Sequence, residues 1–361
     1  MVAALTGLQP SCVSKYSNPV TLGLDTFGDV LSDNAGKPVS HPETIRGLVE
    51  HAVLADQVGL DFFGIGEHHT FDMPLSAPDL VLAAIAARTS RIRLGSAVTV
   101  LSSDDPVRVF QRYSTLHSLS NGRAEVILGR GSSTESFPLF GFDLADYEEL
   151  FEEKVDLFAR LLTEEPVTWS GRLRAPLVNA DVVPHTAGGP IPTWIGVGGS
   201  PKSVIRAATY GMSLMLAIIG GPAERFAPFA DLFREAQRRL EQPAKPIGVH
   251  SPGHIADTDQ EAYEQLVPHY LEVLTRIGRQ RGWRPPTADQ LRHEIEHGSW
   301  YVGSPETVAP KIVKALRTLG TERFDLKYGL AGVPHDAVMR NIELYGTKVA
   351  PLVREMLADE S

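Results

Sequence analysis

The side chains with most chemistry to offer stand in one short run, Glu67, His68 and His69, directly after the apolar stretch 60–65. A carboxylate beside two imidazoles could bind a metal, move protons near neutral pH, or simply close a strand with hydrogen bonds. If the run continues a strand, adjacent side chains point to opposite faces, and the two imidazoles make poor joint ligands for one ion. His250 and His254 could add ligands only from another apolar run, and no helical His-Glu-x-x-His spacing occurs. The residue types therefore favour acid/base work or a structural strand end over metal chemistry.

A second group has the chemistry of an anion site. GVGGSPKS, residues 196–203, runs from an apolar stretch through glycines into a helix start, where backbone N–H groups point outward and Ser200 and Ser203 add hydroxyls. The plainer alternative makes Ser200 an ordinary N-cap ahead of Pro201. Arg130, in GRGSS, ends another apolar run, and its guanidinium could grip the same anion through two parallel bonds. GSAVTVL, residues 95–101, carries small side chains that either pack as core or leave room for a flat ring, with Phe27 and Trp194 as aromatic neighbours.

Elements that bring these groups together can be read from periodicity. Eight short apolar runs, at 20–27, 60–68, 92–101, 124–131, 192–199, 213–220, 246–256 and 324–330, alternate with segments of helical period. Pro follows His41 and Ser304 near two helix starts, and Gly59 and Gly320 supply stops. The pattern predicts an α/β chain forming one (β/α)8 TIM barrel over 20–361, with an open doubly wound sheet as the alternative. Surplus length falls at 168–192 and, as the largest insertion, after strand 7 at about 255–301. In a barrel the C-terminal strand ends converge on one mouth, which would collect every group named above.

The chain has 361 residues, 43% hydrophobic and 22% charged, a globular composition with ample core. A net charge of −10 argues against nucleic acid and for a small-molecule substrate. Cys12 is the single cysteine, which excludes internal disulfides and thiolate clusters and fits a cytoplasmic protein. No apolar run is long enough to span a membrane, and residues 1–19 read as a loose arm without a secretory signal.

Taken in order, GEHHTF, then RLGSAVTVLSSDDPVRVFQRYSTLHSLSNGRAEVILGRG, PTWIGVGGSPKSVIRAATYG and VGSPETVAPKI, the chain resembles the bacterial luciferase-like flavin monooxygenases from residue 20 onward. GRGSSTESFPLFGFDL points to an uncharacterised bacterial branch. The resemblance implies a barrel that uses reduced FMN, supplied by a separate flavin reductase, with dioxygen on an apolar organic substrate. It implies a cofactor-binding set of Ala97, Val98, Thr99, Arg130, Ser132, Gly198, Gly199, Ser200 and Ser203, with a cis peptide at Ala97–Val98 and no metal. Glu67 and His68 would be catalytic, with His68 a general base or a stabiliser of the flavin peroxide and His69 largely structural. A homodimer through the helix at 77–90 is expected. Relatives that transfer hydride with a deazaflavin coenzyme are the nearest rival, followed by a flavin-binding protein without turnover. The light-emitting enzymes carry an acidic residue where this chain has Gly199 and a reactive cysteine near the flavin, so light emission is not expected.

Overall fold

The computed structural model describes residues 20–33, 35–131, 134–186, 188–281 and 284–358, with backbone alone for 276–281. The arm expected at 1–19, with Cys12, and Ser132 of the cofactor set lie outside the described residues.

Eight parallel strands close on themselves: β1 Thr21–Thr26, β2 Phe62–Ile65, β3 Arg93–Ser96, β4 Ala124–Gly129, β5 Thr193–Val197, β6 Ser213–Ala217, β7 Ile247–Ile255 and β8 Arg323–Lys327. Each pairs with its successor, and β8 returns to β1 with Thr21 opposite Arg323 and Asp25 opposite Lys327. That last pairing distinguishes a closed (β/α)8 barrel from an open sheet. Strands buried on both faces need apolar residues on both, which is why they read as short continuous runs. Outward side chains such as Leu22 and Leu24 join the large core under the helices, whereas Phe62, Ala97, Ile127, Trp194 and Met215 form a smaller cluster inside the barrel.

Local signals set the helix bounds. Ser40 and Glu43 form a reciprocal capping box at the start of helix His41–Gln57. Gly320, at φ 59°, ends helix Pro305–Leu319 in the left-handed region. After β7 come helices Asp259–Arg281 and Ala288–His297 and a short strand, Tyr301–Gly303, that pairs with the far end of β7. The other surplus segment contains an antiparallel hairpin, Val167–Trp169 with Leu177–Ala180.

Each strand stops short of its run, and at two of them the early end shapes the site. The run at 92–101 divides into β3, a cis peptide at Ala97–Val98, and Thr99–Val100, which pairs with Leu128 and Gly129 of β4. The run at 60–68 leaves the sheet after Ile65. Glu67 N–H then donates to Val98 O at 3.0 Å and His68 N–H to Leu75 O at 3.0 Å. A Cβ on Gly66 would stand 2.8 Å from Ala97 O, so glycine permits this close crossing. The alternation rule thus ends before Glu67–His69.

Deep in the barrel, Arg323 lies over the rings of Phe62 at 4.1 Å and Trp194 at 4.5 Å and is paired with Glu125 and Asp325. Burial opposes its charge, but Asp325 and Glu125 outweigh that and hold its pKa above the ordinary value. Burial pushes Asp325 up to about 6 against the pull of the same arginine. Served by two carboxylates, the arginine stays charged.

Candidate active site

A cavity of about 480 Å³ opens at the C-terminal strand ends. It draws Arg130 and Gly198–Ser200 from the ends of β4 and β5, Phe27, Glu67, His68 and His69 from beyond the ends of β1 and β2, and His250 from within β7. Ala97, Val98, Ile127 and Met215 line it as well, continuous with the apolar cluster inside the barrel.

Glycines shape the β4–β5 side. A Cβ at Gly129 would collide with the Val98 side chain, and one at Gly196 would lie 3.1 Å from Val98 Cγ1. Gly199 has φ 127°, a conformation L side chains rarely adopt, while the space beside Gly198 and Gly199 is open within 4 Å. Ser200 caps helix Pro201–Thr209, accepting from Ser203 N–H at 3.4 Å. Ser203 is buried beneath the turn, and its Oγ accepts from Arg206 Nη1 at 3.3 Å. Arg130 sits over the Tyr147 ring at 5.4 Å and pairs with Glu148. Lys202 at 3.6 Å and Arg206 at 3.8 Å reach the same carboxylate, so three cations surround Glu148.

Across the mouth, Glu67 is doubly tied. Its Oε1 lies 2.9 Å from His69 Nε2, and its Oε2 accepts from Val100 N–H at 3.0 Å. His68 packs on Phe27 at 4.9 Å between ring centroids; its Nδ1 is 3.5 Å from Glu135 Oε1 and makes no hydrogen bond among the described residues. Because the strand ends at Ile65, the alternation that would set His68 and His69 on opposite faces does not govern the run, and all three residues line the cavity.

Most of the expected residues are brought together, with two departures. Thr99 faces away from the cavity and shares a hydrogen bond with Tyr113 Oη at 3.1 Å. Ser203 lies one layer below the lining. His254, weighed as a metal ligand, hydrogen-bonds Gln265 at 2.8 Å, and burial lowers its pKa. Sequence reasoning missed Asp25, whose Oδ2 is 2.7 Å from His250 Nδ1. These two residues are 225 positions apart, and only closure of the barrel between β7, β8 and β1 joins them.

A closed parallel barrel with titratable side chains and a cationic glycine turn around one mouth has the architecture of a (β/α)8 enzyme. The family model for luciferase-like monooxygenases matches residues 26–323, and the chain belongs to that family of oxidoreductases. It is 28% identical over 323 residues to 4-hydroxyprotoasukamycin monooxygenase of Streptomyces nodosus subsp. asukaensis, covering 84% of this chain and 85% of that one. Among solved structures it resembles the oxygenating constituent of 3,6-diketocamphane monooxygenase from the CAM plasmid of Pseudomonas putida, in complex with FMN. The TM-score is 0.73 at 19% identity, over 92% of this chain and 99% of that one. The coenzyme F420-dependent tetrahydromethanopterin reductase of Methanopyrus kandleri matches with TM-score 0.67 at 18% identity, over 92% and 99% of the two chains.

Proposed function

We propose that this protein is a flavin-dependent monooxygenase that takes reduced FMN, delivered by a separate reductase, together with dioxygen and an apolar organic substrate. One observation carries the reading: a cationic glycine turn and a set of titratable side chains share one cavity, with apolar side chains between them. The residues fit a flavin. Open space at Gly198 and Gly199, the N–H groups of the helix start, Ser200 and Arg130 suit a phosphate, while Ala97 and Val98 offer a flat support for a ring.

When bound, reduced flavin supplies the electrons that activate dioxygen. The chain's own part is to bind, orient and move protons. Arg130 exchanges its contact with Glu148 for the ligand's phosphate, and Lys202 and Arg206 remain with the carboxylate. Glu67, fixed by His69 and Val100, holds the loop against the cavity, and His68 exchanges a proton at Nδ1. Phe27, Met215 and Ile219 exclude water around an apolar substrate.

A difference spectrum with FMN, reduced FMN and the deazaflavin coenzyme F420, followed by a turnover screen with reduced FMN, oxygen and apolar compounds, tests the reading. Binding of FMN with oxygen-dependent product is the expected result; binding of the deazaflavin alone would replace it with hydride transfer. The working unit is proposed to be a cytoplasmic homodimer. Helix Pro78–Ala86 buries Val81, Leu82 and Ile85 on its own barrel but leaves Leu80 exposed.

A further inference from the structure

Asp25 and His250 line the same cavity, and neither is used by the flavin reading. His250 Nδ1 is 2.7 Å from Asp25 Oδ2, and the imidazole stacks on Phe27 at 5.8 Å with 19° between planes. The carboxylate fixes a proton on Nδ1, which leaves Nε2 as the ring's acceptor. Asp25 is 1% exposed, and its Oδ1 is buried with no hydrogen-bond partner among the described residues. A buried carboxylate oxygen without a donor is unfavourable, and a ligand that donates a hydrogen bond relieves it. Around these two acceptors the lining is apolar: Phe27, Met215, Ala217 and Ile219.

Charged neighbours come from three directions. Asp325 stands opposite His250 on β8, with Arg323 two residues before it. Lys327 lies over the other contact of His250, the Phe27 ring, at 4.8 Å and is held by Asp29 at 2.7 Å. His68 packs on that ring too. Strand β6, on the remaining side, pairs Ala217 with His250 and brings no charge there.

We propose that Asp25 and His250 form an acceptor subsite for the hydroxyl group of an otherwise apolar substrate, a phenol or an enol, whose proton His250 takes at Nε2. The substrate O–H bond breaks and leaves its electron pair on oxygen, an N–H bond forms on the imidazole, and Asp25 balances the resulting imidazolium. Asp25 is thus a positioning residue and His250 the base. The bound anion is an electron-rich carbon framework, the kind of substrate an oxygenating flavin enzyme attacks. Its later fate rests on the monooxygenase reading; its binding does not.

The test uses para-nitrophenol as the probe and para-nitroanisole, its methyl ether, as the control, each titrated into the full chain with and without FMN. Wild type is expected to bind the phenol roughly tenfold or more tightly than the ether, the range of one hydrogen bond to a charged group. The bound phenol should absorb as phenolate at pH values where the free probe is protonated. His250→Gln should abolish both effects, and Asp25→Asn should raise the pH at which the phenolate band appears. Flavin fluorescence in the same variants should be quenched by binding as in wild type. Equal affinity for phenol and ether in wild type, or a phenolate band that survives His250→Gln in a variant with native circular dichroism, overturns the subsite. If the variants do not fold, the wild-type comparison decides. A phenolate band in a protein that binds no flavin would sink the monooxygenase reading and leave the subsite standing.

Discussion

Arg130 and His68 divide the proposed work between binding and proton transfer, and single substitutions should separate them. A charge-assisted bond to a phosphate contributes about 1.5–3 kcal/mol, so Arg130→Ala should weaken FMN by roughly one to two decades in a fluorescence titration. Unchanged affinity in a folded variant would put the phosphate elsewhere. His68→Ala should bind flavin almost normally and lose turnover by about 10² to 10⁴-fold, the usual range for a positioned acid or base. His69→Ala should do less to the chemistry, acting through Glu67, to which it is bonded at 2.9 Å. A greater loss of single-turnover rate in His69→Ala than in His68→Ala would reverse the two assignments.

At the scale of elements, the turn between β5 and helix Pro201–Thr209 depends on one backbone conformation. Gly199 at φ 127° would be strained by any side chain, so Gly199→Ala should cost about 1–3 kcal/mol of stability and blunt flavin binding together. Thermal melting and flavin titration read the two effects; a variant with both unchanged would mean that the turn tolerates another path. Helix His41–Gln57 carries a pH dependence of its own. Burial first, and His335 second, push His51 down to about 3. Its folded pKa lies below that of the unfolded chain, about 6.5, so the unfolded state takes up the proton first as pH falls. The contribution to stability is full above that value and declines toward pH 3 by at most about 1.4 kcal/mol per unit. Urea melts at about pH 7 and about pH 5 should show a smaller decline in His51→Gln than in wild type. Parallel declines would mean that the imidazole keeps its proton in the fold.

The whole molecule raises the question of assembly. Most of the apolar surface on helix Pro78–Ala86 is spent on its own barrel, and what remains outward is Leu80, 70% exposed. If that residue lies in a dimer contact, light scattering at micromolar concentration should give twice the chain mass of 39.3 kDa, and Leu80→Asp should halve it. A monomer in wild type would return this helix to a purely structural role. Among the described residues, no helix is long and apolar enough to cross a membrane.

Periodicity alone determined the eight β/α units, because a parallel strand covered on both faces must be apolar along its length and its helix must repeat every 3.6 residues. Local chemistry likewise marked the glycine turn with Ser200 and the guanidinium of Arg130, since a helix start and a bidentate cation are legible in a few consecutive residues. Strand ends were not legible. The strand read over 60–68 ends at Ile65, where the crossing of Gly66 over Ala97 O takes Glu67–His69 out of the ladder. The same failure misplaced Thr99, whose hydroxyl shares a hydrogen bond with Tyr113 away from the cavity. Asp25 gave no signal, because it looks like one polar residue in an apolar strand, and His250 was legible at the mouth only as a weak candidate ligand, not as Asp25's partner. Only the barrel's closure brings them to 2.7 Å, and a contact made by closure depends on the register of strands far apart in the chain rather than on any spacing within it.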